Sequence, residues 1–180
     1  DGLFLSNGNG KLLRHYHPYY KRYDQLPTRH INHLLIDQAQ KLWLATDLGI
    51  LYLDESGQFI PLTTNNDAPL IFASYLLETN KGELLISTLQ DGIFRLKYRN
   101  GTYQLQNIYN TGEKTAHFTS LFKDSLGSIY ASKKMAEIIV FANSSDKLKP
   151  LITKDIKGFI NGFHEDEDGK TLWIATSFGL

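Results

Sequence analysis

Few side chains in this sequence are of types that do chemistry, and they fall into three groups. The densest is His15-Tyr16-His17-Pro18-Tyr19-Tyr20-Lys21-Arg22-Tyr23. If a strand runs through it, His15 and His17 share one face, a spacing that suits a metal ion with carboxylate help from elsewhere. The competing reading places both histidines on an exposed outer strand and makes Tyr19 and Tyr20 stacking surfaces, since tyrosine offers a rigid apolar face with a polar tip. The second group, His164-Glu165-Asp166-Glu167-Asp168-Gly169, has the composition of a calcium loop but lacks the closing glutamate: twelfth from Asp166 stands Ser177. A solvated hairpin is the better reading, and no metal or other cofactor is expected. The third group is scattered: His30, His33, His117 and Glu137 are what a proton-transfer enzyme would draw on. No Ser or Thr sits in a nucleophile-base motif and no glycine-rich phosphate loop opens a helix, so no catalytic residue is assigned.

What must position these residues is a repeat. The segments KLWLATDLG around Trp43 and TLWIATSFG around Trp173 are near copies, with fainter ones around Leu85 and Tyr130. Each follows an apolar piece ending in a polar residue: INHLLID to Asp37, ASYLLET to Thr79, FTSLFKD to Asp124 and INGFHED to Asp166. A third piece follows a glycine, as in GILYLDE and GIFRLKY, with EIIVFAN a weaker copy. The period is about 45 residues, in the range of propeller blades. Approximate repeats run 2–48, 49–91, 92–136 and 137–180 within one propeller unit spanning 1–180.

Each repeat contains about four short apolar runs, too brief and too alternating for helices. Ser56-Gly57 and Asn100-Gly101 close hairpins, because both dipeptides accept positive φ cheaply. A fourth run follows each hairpin, near 12–16, 59–63, 103–109 and 147–152. The expected fold is therefore all-β: a β-propeller arc of about four four-stranded antiparallel blades. Trp43 and Trp173 are expected in the core, buried between blades, with small Ala45, Ser87, Ser132 and Ala175 two residues on letting the sheets approach. The first residues supply the third and fourth strands of one blade, and the last supply the first two of another.

Composition agrees and excludes some functions. The 180 residues are 42% hydrophobic and 21% charged with zero net charge, which removes the electrostatic footprint of a general nucleic-acid or anionic-membrane binder. No apolar run nears the roughly 20 residues of a membrane span, so neither nucleic-acid binding nor membrane insertion is expected. The absence of cysteine rules out disulfides and thiolate metal sites. An opening Asp1 in place of Met points to a processed or excised piece.

The pattern of an apolar strand ending in Asp, a turn, then Leu-Trp-Ile/Leu-Ala-Thr and a glycine-led strand resembles the two-component regulator propeller repeat. Asp24-Gln25-Leu26-Pro27-Thr28-Arg29-His30-Ile31 is similar to that family's inter-blade loop, with Gln25 where the family has glycine. The third repeat departs most, with Tyr130 for Trp, Lys133 for Thr and Met135-Ala136-Glu137 for the glycine turn. The resemblance implies a periplasmic sensor region of a hybrid histidine kinase, like the glycan sensors of Bacteroidetes, within a larger seven-bladed ring. Its implied partners are a glycan or other small ligand, the remaining blades and a β-sandwich of the same protein, and a second copy in a homodimer. In such a ring, ligands meet the loops that enter the inner strand and those that join the two middle strands. Those loops hold Arg29, His30, Asp47, Gln90, Asp91, His117, Lys133 and Lys134, whose groups suit sugar hydroxyls and acidic substituents. The alternatives are a non-catalytic scaffold or dimerisation propeller and, behind it, a propeller enzyme such as a lyase.

Overall fold

A computed structural model describes residues 2–19, 24–63, 72–110, 112, 117–133, 137–141, 151–153 and 158–177. Among these residues every regular element is a strand. The first sheet holds β1 (Leu3–Ser6), β2 (Leu12–His17) and β3 (Asp24–Gln25). Three full blades follow, each ordered along the chain. The first comprises β4 (Ile31–Ile36), β5 (Leu42–Thr46), β6 (Gly49–Leu53) and β7 (Phe59–Pro61). The second comprises β8 (Ala73–Glu78), β9 (Leu84–Thr88), β10 (Ile93–Arg99) and β11 (Thr102–Tyr109). The third comprises β12 (Phe118–Lys123), β13 (Ile129–Lys133), β14 (Glu137–Phe141) and β15 (Leu151–Thr153). A two-stranded sheet, β16 (Ile160–Glu165) and β17 (Leu172–Thr176), ends the series. Among the described residues β17 does not pair with β1.

The sequence pattern explains the local geometry. At the second-blade hairpin Asn100 and Gly101 both take positive φ, 51° and 78°, the signature of a type I′ turn whose twist matches its strands. Gly92, before β10, has φ 94°, and a Cβ there would sit 2.0 Å from the Tyr109 carbonyl oxygen. Only glycine allows the third strand to start beside the end of the fourth. In the third blade the residues at the corresponding strand ends interact differently. Thr46 and Thr88 donate their hydroxyls to the carbonyls of Gly49 and Gly92, whereas Lys133 forms an ion pair of 3.1 Å with Glu137.

Blades pack face to face through three buried clusters. Trp43, Ala45 and Ile50 meet Ala73, Leu76, Leu84, Ile86 and Leu96 between the first and second blades. Leu85 and Ile93 meet Phe118, Leu121, Ile129 and Phe141 between the second and third. Tyr16 and Leu26 meet Leu44, Leu51 and Phe59 between the first sheet and the first blade.

The inner strands add a polar staple. Each of β4, β8, β12 and β16 shifts register after its first residue, a bulge at the same place in all four. A bulge re-aims a side chain, and in β4 and β8 it turns the residue toward the next blade, whereas Thr119 in β12 bonds Ser132 of its own blade. Asn32 donates to the Ala73 carbonyl at 2.7 Å and Ser74 to the Phe118 carbonyl at 2.6 Å.

Two expectations are corrected. Trp43 is 2% exposed, as core packing requires, but Trp173 is 49% exposed because no described strand lies over that face of β17. The Asp24-Gln25 stretch, read as plain loop, pairs in parallel with Tyr16-His17 and adds a short outer strand.

Candidate functional site

Because the first two strands of a blade are antiparallel, the residue before the inner strand and the turn after the second strand lie at the same end of the sheet. Backbone hydrogen bonds join them. The Asp47 amide donates to the His30 carbonyl at 3.4 Å, the Leu89 amide to Phe72 at 3.0 Å and the Ser177 amide to Phe159 at 2.8 Å. Between blades, the Phe72 amide donates to the Asp47 carbonyl at 3.2 Å and the His117 amide to Leu89 at 2.9 Å. One backbone chain thus runs His30, Asp47, Phe72, Leu89, His117 along the rim.

The rim carries a pattern that reading one repeat at a time misses. The position before the inner strand is His30, Phe72, His117 and Phe159 in successive blades, a flat ring every time. His30 is exposed, Phe72 38% and Phe159 51% exposed, and His117 half-buried. Phe72 and His117 hold φ of 56° and 40°, a left-handed backbone unusual for bulky side chains. Such conformations persist where surrounding contacts over-determine them, here the bonds to Asp47 and Leu89. Phe72 and Phe159 were not among the expected site residues. The signal was the repeat column itself, the residue preceding Ile31, Ala73, Phe118 and Ile160.

The polar residues sit around this arc. Thr28, buried, donates its hydroxyl to the Asp47 carboxylate at 2.5 Å and accepts from the His30 amide at 3.1 Å. Arg29 donates through Nε to His30 Nε2 at 2.8 Å, and both side chains are exposed. Gln90 and Asp91 are exposed at the second-blade turn, where the Asp91 amide is held by the Thr88 hydroxyl at 2.9 Å and its carbonyl by Asn107 at 3.0 Å. Lys133 is half-buried in its ion pair with Glu137. Lys134 and Tyr20 lie outside the described residues. Tyr19 stands apart from the arc: it follows β2, its amide donates to His17 Nδ1 at 3.0 Å, and its ring meets His17 edge-on at 5.9 Å.

The other chemistry candidates have structural occupations. His15 stacks on Phe4 at 4.1 Å and meets His17 edge-on at 5.3 Å. His33 stacks on Tyr75 at 3.6 Å, and its Nδ1 accepts the Leu76 amide at 3.3 Å. Burial holds the His33 imidazole below its usual 6.5 and raises the Tyr75 phenol above 10.0. In the acidic hairpin, Asp166 accepts the Trp173 indole N–H at 2.8 Å, Asp168 the Lys170 amide at 3.0 Å, and Glu165 the Ser125 amide and hydroxyl at 2.7 and 2.9 Å. Its carboxylates close turns and join neighbouring blades.

Successive four-stranded sheets, stapled at the inner strand and presenting one loop rim, define a β-propeller arc. No protein-family model matches the chain, and no curated protein matches its sequence. Solved structures do share its fold. One is the extracellular domain described as that of the hybrid two-component system BT3049 from B. thetaiotaomicron, with TM-score 0.73 and 17% identity over 97% of this chain and 23% of that one. The corresponding domain of BT4673 from the same organism gives TM-score 0.69 and 23% identity over 95% and 25%. Virginiamycin B lyase from Staphylococcus aureus gives TM-score 0.66 and 16% identity over 97% and 59%. The chain spans about a quarter of the length of the two sensor domains, and at these identities the likeness establishes the fold.

Proposed function

We propose that this chain is part of a periplasmic ligand-sensing propeller, the input region of an inner-membrane two-component sensor that recognises an oligosaccharide and signals to a histidine kinase. The observation that carries the reading is the arc of His30, Phe72, His117 and Phe159, flat rings on consecutive blades of one rim. Pyranose rings present apolar C–H faces that stack on such side chains, while Arg29, Asp47, Gln90 and Asp91 supply donors and acceptors for hydroxyls. The fold shared with sensor extracellular domains supports the same class. Phe4, Leu5, Leu12 and Leu13 on the first sheet and Trp173 on the last are exposed, which supports a larger, seven-bladed ring whose further blades cover them. No catalytic role is assigned to the arc; the Asp47 carboxylate is already engaged by Thr28.

Calorimetry of a panel of plant and host oligosaccharides against the wild-type protein and Phe72→Ala tests the reading. A stacking contact of about 1.4 kcal/mol corresponds to a tenfold loss of affinity. We expect the oligosaccharide that binds to lose about that factor in the variant. Unchanged affinity would remove the arc as the binding surface; an empty panel with a tight homodimer would favour the scaffold reading.

A further inference from the structure

We propose a second ligand site, distinct from the rim, for an acidic saccharide: a groove between the outer strands of the first and second blades that places the Lys41 ammonium inside a tyrosine-walled cleft. The groove has a volume of about 480 Å³ and is lined by Lys41, Tyr52, Thr63, Tyr98, Thr102 and Tyr103. That volume lies within the roughly 300–1,000 Å³ of ordinary small-molecule sites. Lys41 follows the turn between β4 and β5, at the end of the blade opposite the rim.

The ammonium is held among rings. Lys41 Nζ lies 3.8 Å from the Tyr52 ring centroid, 5.0 Å from Trp43 and 5.2 Å from Tyr103, and donates to the Tyr103 hydroxyl at 2.8 Å. Ring faces attract a cation without neutralising it. Among the described residues no carboxylate pairs with Lys41, which is half-buried.

The neighbouring blade shows what a self-contained version looks like. Lys41 precedes Trp43 by two residues, and Trp43 pairs across the strands with Tyr52. In the second blade Glu83 precedes Leu85 by two, and Leu85 pairs with Arg95. There acid and bases form ion pairs: Glu83 lies 3.4 Å from Arg95 and 3.0 Å from Lys97. In the third blade the same positions are Ser128 and Val140, without charge. The first blade differs from both: it puts Lys41 where the second has its acid and Tyr52 where the second has its arginine, which leaves a cation at an open, ring-walled groove.

The groove's remaining chemistry selects the ligand class. Tyr98, 65% exposed, stands against Tyr103 with centroids 4.9 Å apart and offers a flat face to solvent. Thr63, Thr102, Tyr98 and Tyr103, all hydroxyl-bearing, line the groove. A pyranose bearing a carboxylate matches all three features: its C–H face on Tyr98, its hydroxyls among those of the lining and its carboxylate on Lys41.

The test titrates the protein with trigalacturonate and, separately, with its methyl ester, which keeps the sugar and removes the charge. Saturable binding of trigalacturonate is expected, at least tenfold weaker for the ester, for Lys41→Gln and for Tyr98→Ala, and unchanged in Phe72→Ala. Absence of binding, equal binding of acid and ester, or full affinity in Lys41→Gln overturns the proposal. If Lys41→Gln fails to fold, the ester and the surface variant Tyr98→Ala decide alone. Loss of trigalacturonate binding in Phe72→Ala with Lys41→Gln unaffected would move the saccharide to the rim and also refute this site.

Discussion

Removing the Asp37 carboxylate should loosen the Trp43 indole that fixes the spacing of the first two blades. Asp37 Oδ2 accepts the indole N–H at 2.8 Å while Oδ1 accepts the Lys41 amide at 2.8 Å, so one carboxylate satisfies a buried side chain and closes the turn. Trp43 is 2% exposed, so its N–H loses a charged acceptor in a largely buried setting. Hydrogen bonds to charged groups contribute about 1.5–3 kcal/mol, and an orphaned buried donor costs about 1–3 kcal/mol. Asp37→Ala should therefore destabilise by about 2–3 kcal/mol in urea unfolding followed by circular dichroism. The protein contains its own control, because the second blade has Thr79 and Leu85 at the two positions and lacks the pair altogether, whereas Asp124 accepts from Tyr130 and Asp166 from Trp173. Trp43→Leu, which also leaves a cavity, should lose most of its sensitivity to Asp37→Ala. A double-mutant cycle should return a coupling of about 1–2 kcal/mol, beyond the roughly 0.5 kcal/mol scatter of independent sites. Additive costs within that scatter would refute the pairing as the reason for aspartate at the end of the inner strand.

Two further outcomes follow from the backbone and from His33. Gly92→Ala should cost at least about 2 kcal/mol in the same assay, because it adds a clash with the Tyr109 carbonyl to the left-handed penalty. Gly82→Ala, at φ 69° with open space around it, should cost only about 1 kcal/mol; equal losses would contradict the close-approach argument. The folded His33 imidazole titrates below 6.5, so as pH falls through 6.5 the unfolded chain takes up the proton first and stability declines until the folded value is passed. Above 6.5 this contribution is fully present. His33→Phe should flatten the pH dependence of the melting temperature below 6.5 relative to wild type; an unchanged slope would assign that dependence to other histidines.

The blade was legible because its signals are local. Strand runs, the Asn100-Gly101 hairpin and the glycine before the third strand are set by residues within a few positions of one another. The polar half of the rim was legible for the same reason, since position in the repeat dictates position on the rim. Phe72 and Phe159 were hidden because a lone aromatic beside a strand reads as core. Only the column of four rings separates them from Trp43, which reads alike and is buried. The acidic hairpin is the opposite case, since its carboxylates accept from Ser125 on a neighbouring blade and from Trp173.

The sequence by itself determined the repeat, the four-stranded antiparallel unit and the turns that close it, because each follows from alternation and backbone preference over a short stretch. Tertiary structure alone decided which repeated residue meets what. It buried Trp43 and left Trp173 half exposed, though the two segments are near copies, because one lies beneath a neighbouring sheet. It turned Asn32 and Ser74 into staples through bulges that no propensity specifies. It also set Lys41 among Tyr52, Trp43 and Tyr103, a contact between residues 62 positions apart at its ends. Distance along the chain carries no information about such meetings; they exist only once the blades have stacked.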